Sequence, residues 1–429
     1  MNSGRPPEQR RGVPRGYVGA LTAAVTYCLG RDVYDRQVGL IAGLLAISSP
    51  FFLILAGTFM SHTVGGLWVA VLLWSWRRIE LAQAAGGSGR GWSTLGGAAL
   101  GMLAITRPLT GVAVGAVFGL ALAVQATRRH RELQRVLRAN APLAGVALLI
   151  ALLQPLWLWL STGSPTTNLY TMVWEYDRVG FGPEVGRTGH TLGEGLRTAW
   201  RDLQLWAGDL FGWRYLSWLP PALGVVLGVW RGGPGRRGWA LLLAGPLVAL
   251  VVFHLAYWIG AQVYGPRYYY EAHAGLAVLA ALGLRETVRL VAGGGGERSP
   301  GGWRDLLGGD AALVYIPLAA LIALNLVAYL PQRLPDWRDV YDITPAPFKA
   351  LREQAGNQPV LVIVQGGRWV DYAPFFAHNS PWLDGPTVAA HDVSPGVNAA
   401  IIRQYPGYSA WFYSEGVLTP IRPAVAGEE

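Results

Sequence analysis

Long apolar stretches dominate this chain, and short polar segments separate them. Ten apolar runs are candidate membrane spans. They fall at about residues 17–30, 38–59, 63–76, 94–106, 109–126, 139–161, 216–230, 238–258, 270–284 and 311–330. Several are shorter than the roughly 20 residues that a helix needs to cross a bilayer, so flanking residues must extend them. The pattern predicts a mainly α, polytopic transmembrane helical bundle of about ten spans.

The C-terminal residues 331–429 follow another pattern. Three runs are of the β type and one segment favours a helix. These are Val360–Val364, Thr387–Ala390 and Ser409–Tyr413 for the strands, and Val397–Gln404 for the helix. The sequence therefore predicts three parts: a polar tail at 1–16, a transmembrane domain at 17–330 and a small α/β appendage at 331–429.

Composition agrees with a membrane protein. Hydrophobic residues make up 52% of the chain and charged residues 14%, against roughly 25% charged in an average soluble domain. The net charge of +9 could suggest nucleic acid, but the arginines form short clusters between apolar runs and no continuous basic stripe. We therefore interpret them as topology determinants and expect no nucleic-acid partner.

Arginine also indicates the orientation, because cytoplasmic loops collect positive charge. One set of alternate loops holds 17 arginines in 69 residues, whereas the other set holds 7 in 70, so the first set is predicted to be cytoplasmic. The cytoplasmic set is 31–37, 77–93, 127–138, 231–237 and 285–310; the outer set is 60–62, 107–108, 162–215 and 259–269. The tenth span then exits outward, which makes the appendage extracytoplasmic.

The N-terminal tail conflicts with this orientation. It would lie outside although it carries Arg5, Arg10, Arg11 and Arg15. Either the first run does not span, or a segment is missing upstream. The tail has no features of a cleavable signal, because no small-residue cleavage site follows the apolar run.

The longest internal loop, 162–215, carries a functional signal. Its first half mixes glycine turns, which let backbone approach a ligand, with Glu175, Asp177, Arg178 and His190. Its second half opens with the capping-box spacing Thr191–Glu194 and continues at helical period. This predicts an amphipathic helix that lies in the membrane interface beside a polar loop. Together, the helix and the loop would cover a site for a lipid-borne substrate.

Three short segments reach the same predicted face: Ser61–Thr63, Thr106–Pro108 and Tyr264–Glu271. Arginine offers a planar fork of donors suited to phosphate, and tyrosine offers a ring and a hydroxyl at headgroup level. Together with the loop, they predict a site for a lipid phosphate and a polar head. The candidate substrate-binding residues are His62, Arg107, Arg178, His190, Arg267, Tyr268 and Glu271.

Structural interpretations of these residues stay open. Arg107 can be the tip of a hairpin, His62 a helix-end residue, and the tyrosine run an aromatic belt. Arg267 and Glu271 are four residues apart, which suits an ion pair within one helix. His254 lies inside an apolar run, where an ionisable group serves either function or hydrogen-bonded packing.

Several motifs are absent from the sequence. It has no Walker-type lysine loop, no strand-bound GxGxxG, no HExxH and no DxD triplet. The single cysteine, Cys28, excludes a cysteine-based metal cluster. We therefore expect no cofactor and no metal, and the sequence gives no support for a soluble nucleotide donor.

The order of several segments resembles the GT-C superfamily of polytopic lipid-phosphate-sugar glycosyltransferases, including the protein mannosyltransferase and aminoarabinose transferase relatives (glycosyltransferase family 39-like). The resemblance covers about residues 17–330 and rests on the order of the motifs. These are Gly19–Asp32, Val38–Pro50, Ser61–Thr63, Thr106–Pro108, Gly180–Pro183, Gly189–Thr191 and Gly265–Glu271.

The resemblance implies transfer of a sugar from a polyprenyl phosphate to an acceptor outside the cytoplasm, in a bacterial cytoplasmic (inner) membrane. The shared predicted face of their segments, supported by the resemblance, leads us to expect His62, Arg107 and Arg267 near the lipid phosphate. Loop residues Asp177 and Arg178, with His190, would shape the sugar or acceptor pocket. Partners would be the polyprenyl-phosphate-linked sugar and membrane lipid, with an acceptor that the sequence does not identify.

The sequence departs from the family at one point. The family's catalytic acid lies in the first extracytoplasmic loop, between the first two spans, and the resemblance implies that this chain starts after that loop. The resemblance thus leaves three possibilities: a truncated enzyme, a non-catalytic relative, or an enzyme that uses Asp177 or Glu175 instead. A membrane scaffold and a lipid or sugar transporter are the alternative functions, although the sequence shows no clear internal repeat of the kind many transporters carry.

The predicted orientation has a direct test. An epitope tag inserted beside His190 should be reached by antibody from outside the cell, because the arginine distribution places loop 162–215 there. Access only after permeabilisation of the membrane would refute the orientation and, with it, the shared face of the three short segments.

Overall fold

The computed structural model describes residues 13–58, 60–260, 265–291, 309–338, 340, 343–366 and 369–421. Arg5, Arg10, Arg11 and Tyr264 of the sequence predictions lie outside these residues. The chain divides into two compact units, Met1–Arg333 and Leu334–Glu429.

The first unit is helical, and the ten predicted apolar runs are mostly helix. Its helices are α1 (Val13–Val33), α2 (Arg36–Ser48), α3 (Pro50–Ala56), α4 (His62–Ala84), α5 (Arg90–Thr106), α6 (Pro108–Arg128), α7 (Leu133–Ala151), α8 (Leu153–Thr162), α9 (Leu169–Val173), α10 (Leu192–Phe211), α11 (Leu219–Trp230), α12 (Pro234–His254), α13 (His273–Val291), α14 (Gly309–Leu324) and α15 (Leu330–Arg333). Short 3₁₀ turns at His130–Glu132, Arg214–Trp218 and Arg267–Ala272 precede α7, α11 and α13, and a π-helical turn, Asn325–Tyr329, follows α14.

Helix α13 is the most deeply buried element of this unit. An uninterrupted stretch of its residues, from His273 to Gly283, is buried. Small residues let neighbouring helices approach closely, as small-residue interfaces do in membranes. At α5, Gly97 and Gly101 face Leu143 and Ile150 of α7 with no room for larger side chains.

The predicted run 38–59 is not one straight helix. Helices α2 and α3 meet at a bend of 60°. Ser49 there has an extended backbone, its hydroxyl accepts a hydrogen bond from the Phe52 N–H, and Pro50 occupies the first turn of α3. Proline has no N–H to donate a hydrogen bond to the preceding turn, but it fits the first turn of a helix. The Ser49-Pro50 pair therefore ends α2 and begins α3.

Helix α10 confirms the helix and the capping box predicted for the second half of loop 162–215. The Thr191 hydroxyl accepts from the Glu194 N–H, and the Glu194 carboxylate accepts from the Thr191 N–H. Leu192, Leu196 and Trp200 are exposed. The other end is held to the last helical segment, because Arg333 pairs with the buried Asp209 at 2.9 Å.

Four of the described helical segments are long and apolar enough to cross a membrane, or five if the bent pair α2–α3 is one span. The four are Pro108–Arg128, His130–Thr162, Pro234–His254 and Leu313–Trp337. Most of the His130–Thr162 and Leu313–Trp337 windows is not buried by protein, as expected of helices that face lipid. The chain is thus a helical membrane protein, while the count of ten spans stays a prediction.

The second unit contains a four-stranded sheet. Its strands β1 (Val360–Val364), β2 (Thr387–His391), β3 (Ser409–Ser414) and β4 (Val417–Pro420) are ordered β2-β1-β3-β4. Strand β1 is parallel to β2 and β3, and β4 is antiparallel to β3. The helices of this unit are α16 (Ala346–Ala355), α17 (Trp369–Phe376) and α18 (Pro395–Gln404), and a 3₁₀ turn lies at Leu334–Trp337.

The two faces of β1 bury different clusters. Val360, Val362 and Val364 join one cluster, whereas Leu361 and Ile363 join the other. A strand that is buried on both faces has a continuous apolar sequence, as β1 does. The three predicted strands and the helix near Val397–Gln404 are confirmed.

The close packing of α5 on α7 can be tested with a pair of glycine substitutions. A Cβ at Gly97 would lie 3.0 Å from Leu143 Cα and also against the Leu143 carbonyl, so Gly97→Ala should lower the free energy of unfolding by about 1–3 kcal/mol. Gly145 of α7 has nothing within 4 Å of such a Cβ, so Gly145→Ala is the control and should not destabilise. Unfolding by titration with a denaturing detergent would measure the free energy of unfolding of both variants. An equal loss of free energy in Gly97→Ala and Gly145→Ala would contradict the close packing of α5 on α7.

Candidate functional site

The structure brings three short segments together at helix ends. His62 is the first residue of α4, Arg107 links α5 to α6, and Glu271 lies in the 3₁₀ turn before α13. Together with Tyr268 and Arg267 of the same turn, we call these residues the Arg107 cluster. Residues far apart in sequence thus form one polar group within an apolar bundle.

Arg107 is the centre of this cluster. Its Nε lies 2.9 Å from Glu271 Oε1, and its Nη1 lies 3.0 Å from His62 Nε2. Ser61 Oγ and Thr110 Oγ1 accept longer hydrogen bonds, each at 3.4 Å. Its Nη2 donates no hydrogen bond within the described part of the chain, and the side chain keeps 14% of its surface exposed. Two of the three guanidinium nitrogens are therefore held by protein, and Nη2 keeps its donors.

Glu271 is the buried counter-charge. Its side chain has no exposed surface, and neither oxygen has a well-aligned hydrogen bond, so it meets Arg107 as an ion pair. Because a guanidinium only donates, His62 Nε2 must accept from Arg107, which assigns the proton of a neutral His62 to Nδ1. That Nδ1 faces Glu271 Oε1 at 3.3 Å, with alignment short of a hydrogen bond.

Tyr268 contacts two arginines. The guanidinium carbon of Arg267 is 5.0 Å from the centre of the Tyr268 ring, and that of Arg107 is 5.7 Å away. Arg267 also donates to the Tyr268 hydroxyl at 3.3 Å. His254 stacks on the same ring at 5.1 Å, and its Nδ1 lies 2.8 Å from the Leu250 carbonyl, as for a packing histidine. Two guanidiniums therefore lie against one tyrosine ring.

Two adjacent glycines of α4 let the 3₁₀ turn come this close. A Cβ at Gly65 would lie 2.9 Å from Glu271 Oε1, and one at Gly66 would lie 2.7 Å from the Tyr270 ring. The sequence prediction did not include this pair, although its signal, two consecutive glycines one turn after His62, is visible in the sequence.

Helix ends add to the positive potential. Helices α4 and α6 both begin at the cluster, and neither has a hydrogen bond from a side chain at its N-cap. The first N–H groups of a helix point outward and carry a partial positive charge, which makes such ends suited to anions. The cluster therefore combines two arginines and two helix N-termini around one buried carboxylate.

His190 is placed elsewhere, as an anchor of the polar loop. It is buried, its Nε2 lies 2.8 Å from the Leu255 carbonyl, and its ring stacks on Phe181 at 5.5 Å. Its backbone pairs with Gly182. These contacts hold the loop against the chain that follows α12.

Asp177 contacts the same stretch after α12. Its Oδ1 accepts a hydrogen bond from Trp258 Nε1 at 2.9 Å, and Oδ2 accepts none within the described residues. Gly180 N–H donates to the Ala256 carbonyl, and Tyr257 packs edge-on against Tyr268 at 5.4 Å. The loop thus reaches the Arg107 cluster through Tyr257. Trp258 was missed in sequence because only the fold joins it to Asp177.

Glu175 and Arg178 lie at the surface. The Glu175 side chain is 90% exposed, and Arg178 Nη2 lies 3.8 Å from its Oε1. Arg178 Nε also donates to the Glu175 carbonyl. Nearby, the Thr191 backbone N–H and then its hydroxyl hold the pKa of Glu194 below its ordinary value. Within the described residues, Glu175 and Arg178 contact each other, whereas Asp177 contacts the distant Trp258.

No protein-family model and no curated protein matches the sequence. Solved structures do match. The chain resembles ArnT from Cupriavidus metallidurans bound to undecaprenyl phosphate, with a TM-score of 0.57, 17% identity, and coverage of 94% of this chain and 76% of that one. The apo state of the same protein gives a TM-score of 0.58, 15% identity, and coverage of 95% and 79%.

At sequence identities of 17% and 15%, the similarity to these structures concerns the fold alone. The resemblance to the GT-C superfamily, and to its aminoarabinose transferase members, is confirmed at that level. The chain is therefore a membrane protein with a GT-C-like fold, whose Arg107 cluster is its candidate functional site.

The buried charge balance at Glu271 predicts a stability effect. Glu271→Gln should lower the free energy of unfolding by about 3 kcal/mol, because it removes the carboxylate that compensates Arg107 in a buried pair. Glu175→Gln is the matched control, since that side chain is 90% exposed and should change little. Thermal unfolding in detergent would compare them; a wild-type midpoint for Glu271→Gln would show that the ion pair does not hold the cluster together.

Proposed function

We propose that this protein transfers a sugar from a polyprenyl-phosphate donor to an acceptor outside the cytoplasm, with the Arg107 cluster binding the lipid phosphate. The observation that carries the proposal is that the guanidinium carbons of Arg107 and Arg267 lie 5.7 Å and 5.0 Å from the centre of the same Tyr268 ring. The similar ArnT structure is bound to undecaprenyl phosphate, a ligand of the same chemical class.

The chemistry of the cluster suits a departing phosphate. Arg107 Nη2 has no hydrogen-bond acceptor among the described residues, whereas Nε and Nη1 are fixed by Glu271 and His62. A donor held in place before the reaction stabilises developing negative charge without reorganisation, which is the main electrostatic contribution in catalysis. Arg267 would contribute the second charge, because its guanidinium lies on the same tyrosine.

The transfer step needs a general base that takes the proton of the acceptor hydroxyl. The acceptor hydroxyl oxygen forms a bond to the anomeric carbon, the bond from that carbon to the phosphate oxygen breaks, and the hydroxyl proton passes to a carboxylate. Asp177 is our candidate over Glu175, because Trp258 fixes one Asp177 oxygen and leaves the other for a proton. Glu175 instead extends into solvent. Arg178 and His190 would shape the sugar or acceptor pocket, His190 by holding the loop.

The proposal includes a membrane arrangement. Ten spans would place the Arg107 cluster, loop 162–215 and the C-terminal α/β unit on the extracytoplasmic side of a bacterial inner membrane. The arginine distribution and the helices α4, α6 and α13, which all begin at the cluster, support this arrangement. Helix α10, with its exposed apolar side chains, would lie in the interface above the site.

The proposal is tested by sugar transfer from polyprenyl phosphate in isolated membranes. Arg107→Ala and Arg267→Ala should each lower turnover about 100-fold, because each removes a cation from the departing phosphate. Arg237→Ala is the control, since Arg237 is exposed at the start of α12, away from the cluster. Each variant's thermal midpoint would be measured in parallel, so that unfolding is not mistaken for lost chemistry. Wild-type turnover in both cluster variants would overturn the phosphate assignment.

A further inference from the structure

A second basic site lies at the opposite end of the α5–α6 hairpin. An open cavity of about 690 Å³ is formed by the turn between α4 and α5 and by the first residues of α7. Arg107 connects the far ends of α5 and α6, so the cavity and the Arg107 cluster are separated by the length of α5, roughly 25 Å for its 17 residues. The two sites therefore belong to different sides of the bundle.

Positive charge dominates the walls of this cavity. Four arginines line it, Arg90, Arg131, Arg135 and Arg138, against the single carboxylate of Glu132. That carboxylate lies 3.9 Å from Arg135 Nη1, and both side chains are 56% exposed, so it offsets little of the charge. The cavity thus attracts an anion.

A buried amide marks the cavity as a built site. Gln83, at the end of α4, lines it and is 9% exposed. Its Nε2 is buried and has no hydrogen-bond partner within the described residues, while its backbone carbonyl accepts from Arg135 Nη2 at 3.2 Å. A buried donor without an acceptor is costly, at about 1–3 kcal/mol, and a ligand oxygen would satisfy it.

The start of α5 contributes to the same cavity. Ser88 and Arg90 line it, and the N-cap residue between them, Gly89, offers no side chain to the first turn of the helix. Gly89 takes the left-handed conformation at φ 64°, which lets the chain turn directly into α5. The Arg90 N–H donates to Ser88 Oγ at 3.4 Å, and the dipole of α5 adds a preference for negative charge at this end.

We infer that this cavity binds the phosphate group of an anionic ligand, with an anionic phospholipid headgroup as the main source. Arginines supply paired donors to phosphate oxygens, Gln83 supplies a neutral donor, and the α5 N-terminus supplies backbone N–H groups. Basic pockets at the ends of transmembrane helices are suited to such headgroups, and α6 and the α7–α8 segment beside the cavity are apolar enough to span a membrane. The inference is independent of sugar transfer.

The test measures the thermal midpoint of the purified full chain in detergent at constant ionic strength, with added phosphatidylglycerol, phosphatidylcholine or inorganic phosphate. Phosphatidylglycerol should raise the midpoint and phosphatidylcholine should not. Arg135→Gln should weaken the apparent affinity about fivefold, since one arginine near an anionic headgroup contributes about 1 kcal/mol. Saturation by inorganic phosphate alone, with the same dependence on Arg135, would identify free phosphate as the source.

Two variants separate a built site from general surface charge. Arg129 is exposed in the same segment but does not line the cavity. The Arg129→Gln variant should therefore bind phosphatidylglycerol as the wild type does. Gln83→Leu removes the unpaired donor, so it should raise the midpoint without lipid and reduce the shift that phosphatidylglycerol produces. The inference would be overturned if Arg129→Gln and Arg135→Gln weakened the apparent affinity for phosphatidylglycerol equally. It would also be overturned if phosphatidylglycerol shifted the thermal midpoint of Gln83→Leu as much as that of the wild type.

Discussion

The ion pair between Arg107 and the fully buried Glu271 is the interaction on which the candidate site depends. A carboxylate without exposed surface is unfavourable unless it is compensated, and Arg107 supplies that compensation at 2.9 Å. The pair also links the α5–α6 connection to the turn before α13, the most buried helix. The interaction that neutralises the core charge therefore also fixes the direction of the guanidinium.

The geometry at Arg107 has a functional consequence. Its Nε and Nη1 are occupied by Glu271 and His62, and these contacts fix the orientation of the guanidinium. Preorganised cations of this kind stabilise developing charge better than mobile ones, because no free energy is spent on orienting them during the reaction. The glycines of α4 make the arrangement possible, since a side chain at Gly65 would occupy the space of the Glu271 carboxylate.

The bundle has basic groups at both ends, but they differ in construction. At the Arg107 cluster, Arg107 is partly buried and paired with a carboxylate, and two guanidiniums lie against one aromatic ring. At the α5 N-terminus they are exposed and surround an open cavity with one buried, unpartnered amide. The first construction suits a ligand whose charge changes during a reaction, and the second suits a ligand that is only held.

Sequence alone established the class of this protein and much of its local structure. Apolar periodicity and low charge indicated a helical membrane protein, and short-range spacing identified the Thr191 capping box and β1, because these features depend on residues close together in the chain. The order of motifs indicated the GT-C-like fold. Arginine distribution placed His62, Arg107 and Glu271 on one predicted face.

Tertiary structure decided which of those residues touch. Sequence left Glu271 open to an ion pair with Arg267 four residues away, whereas the turn is 3₁₀ and Glu271 pairs with Arg107, more than 160 residues earlier. It likewise joined Asp177 to Trp258, assigned His190 to the Leu255 carbonyl and left Glu175 in solvent. Such contacts depend on how helices pack, which is a property of the whole bundle and is not encoded in the spacing of any one segment.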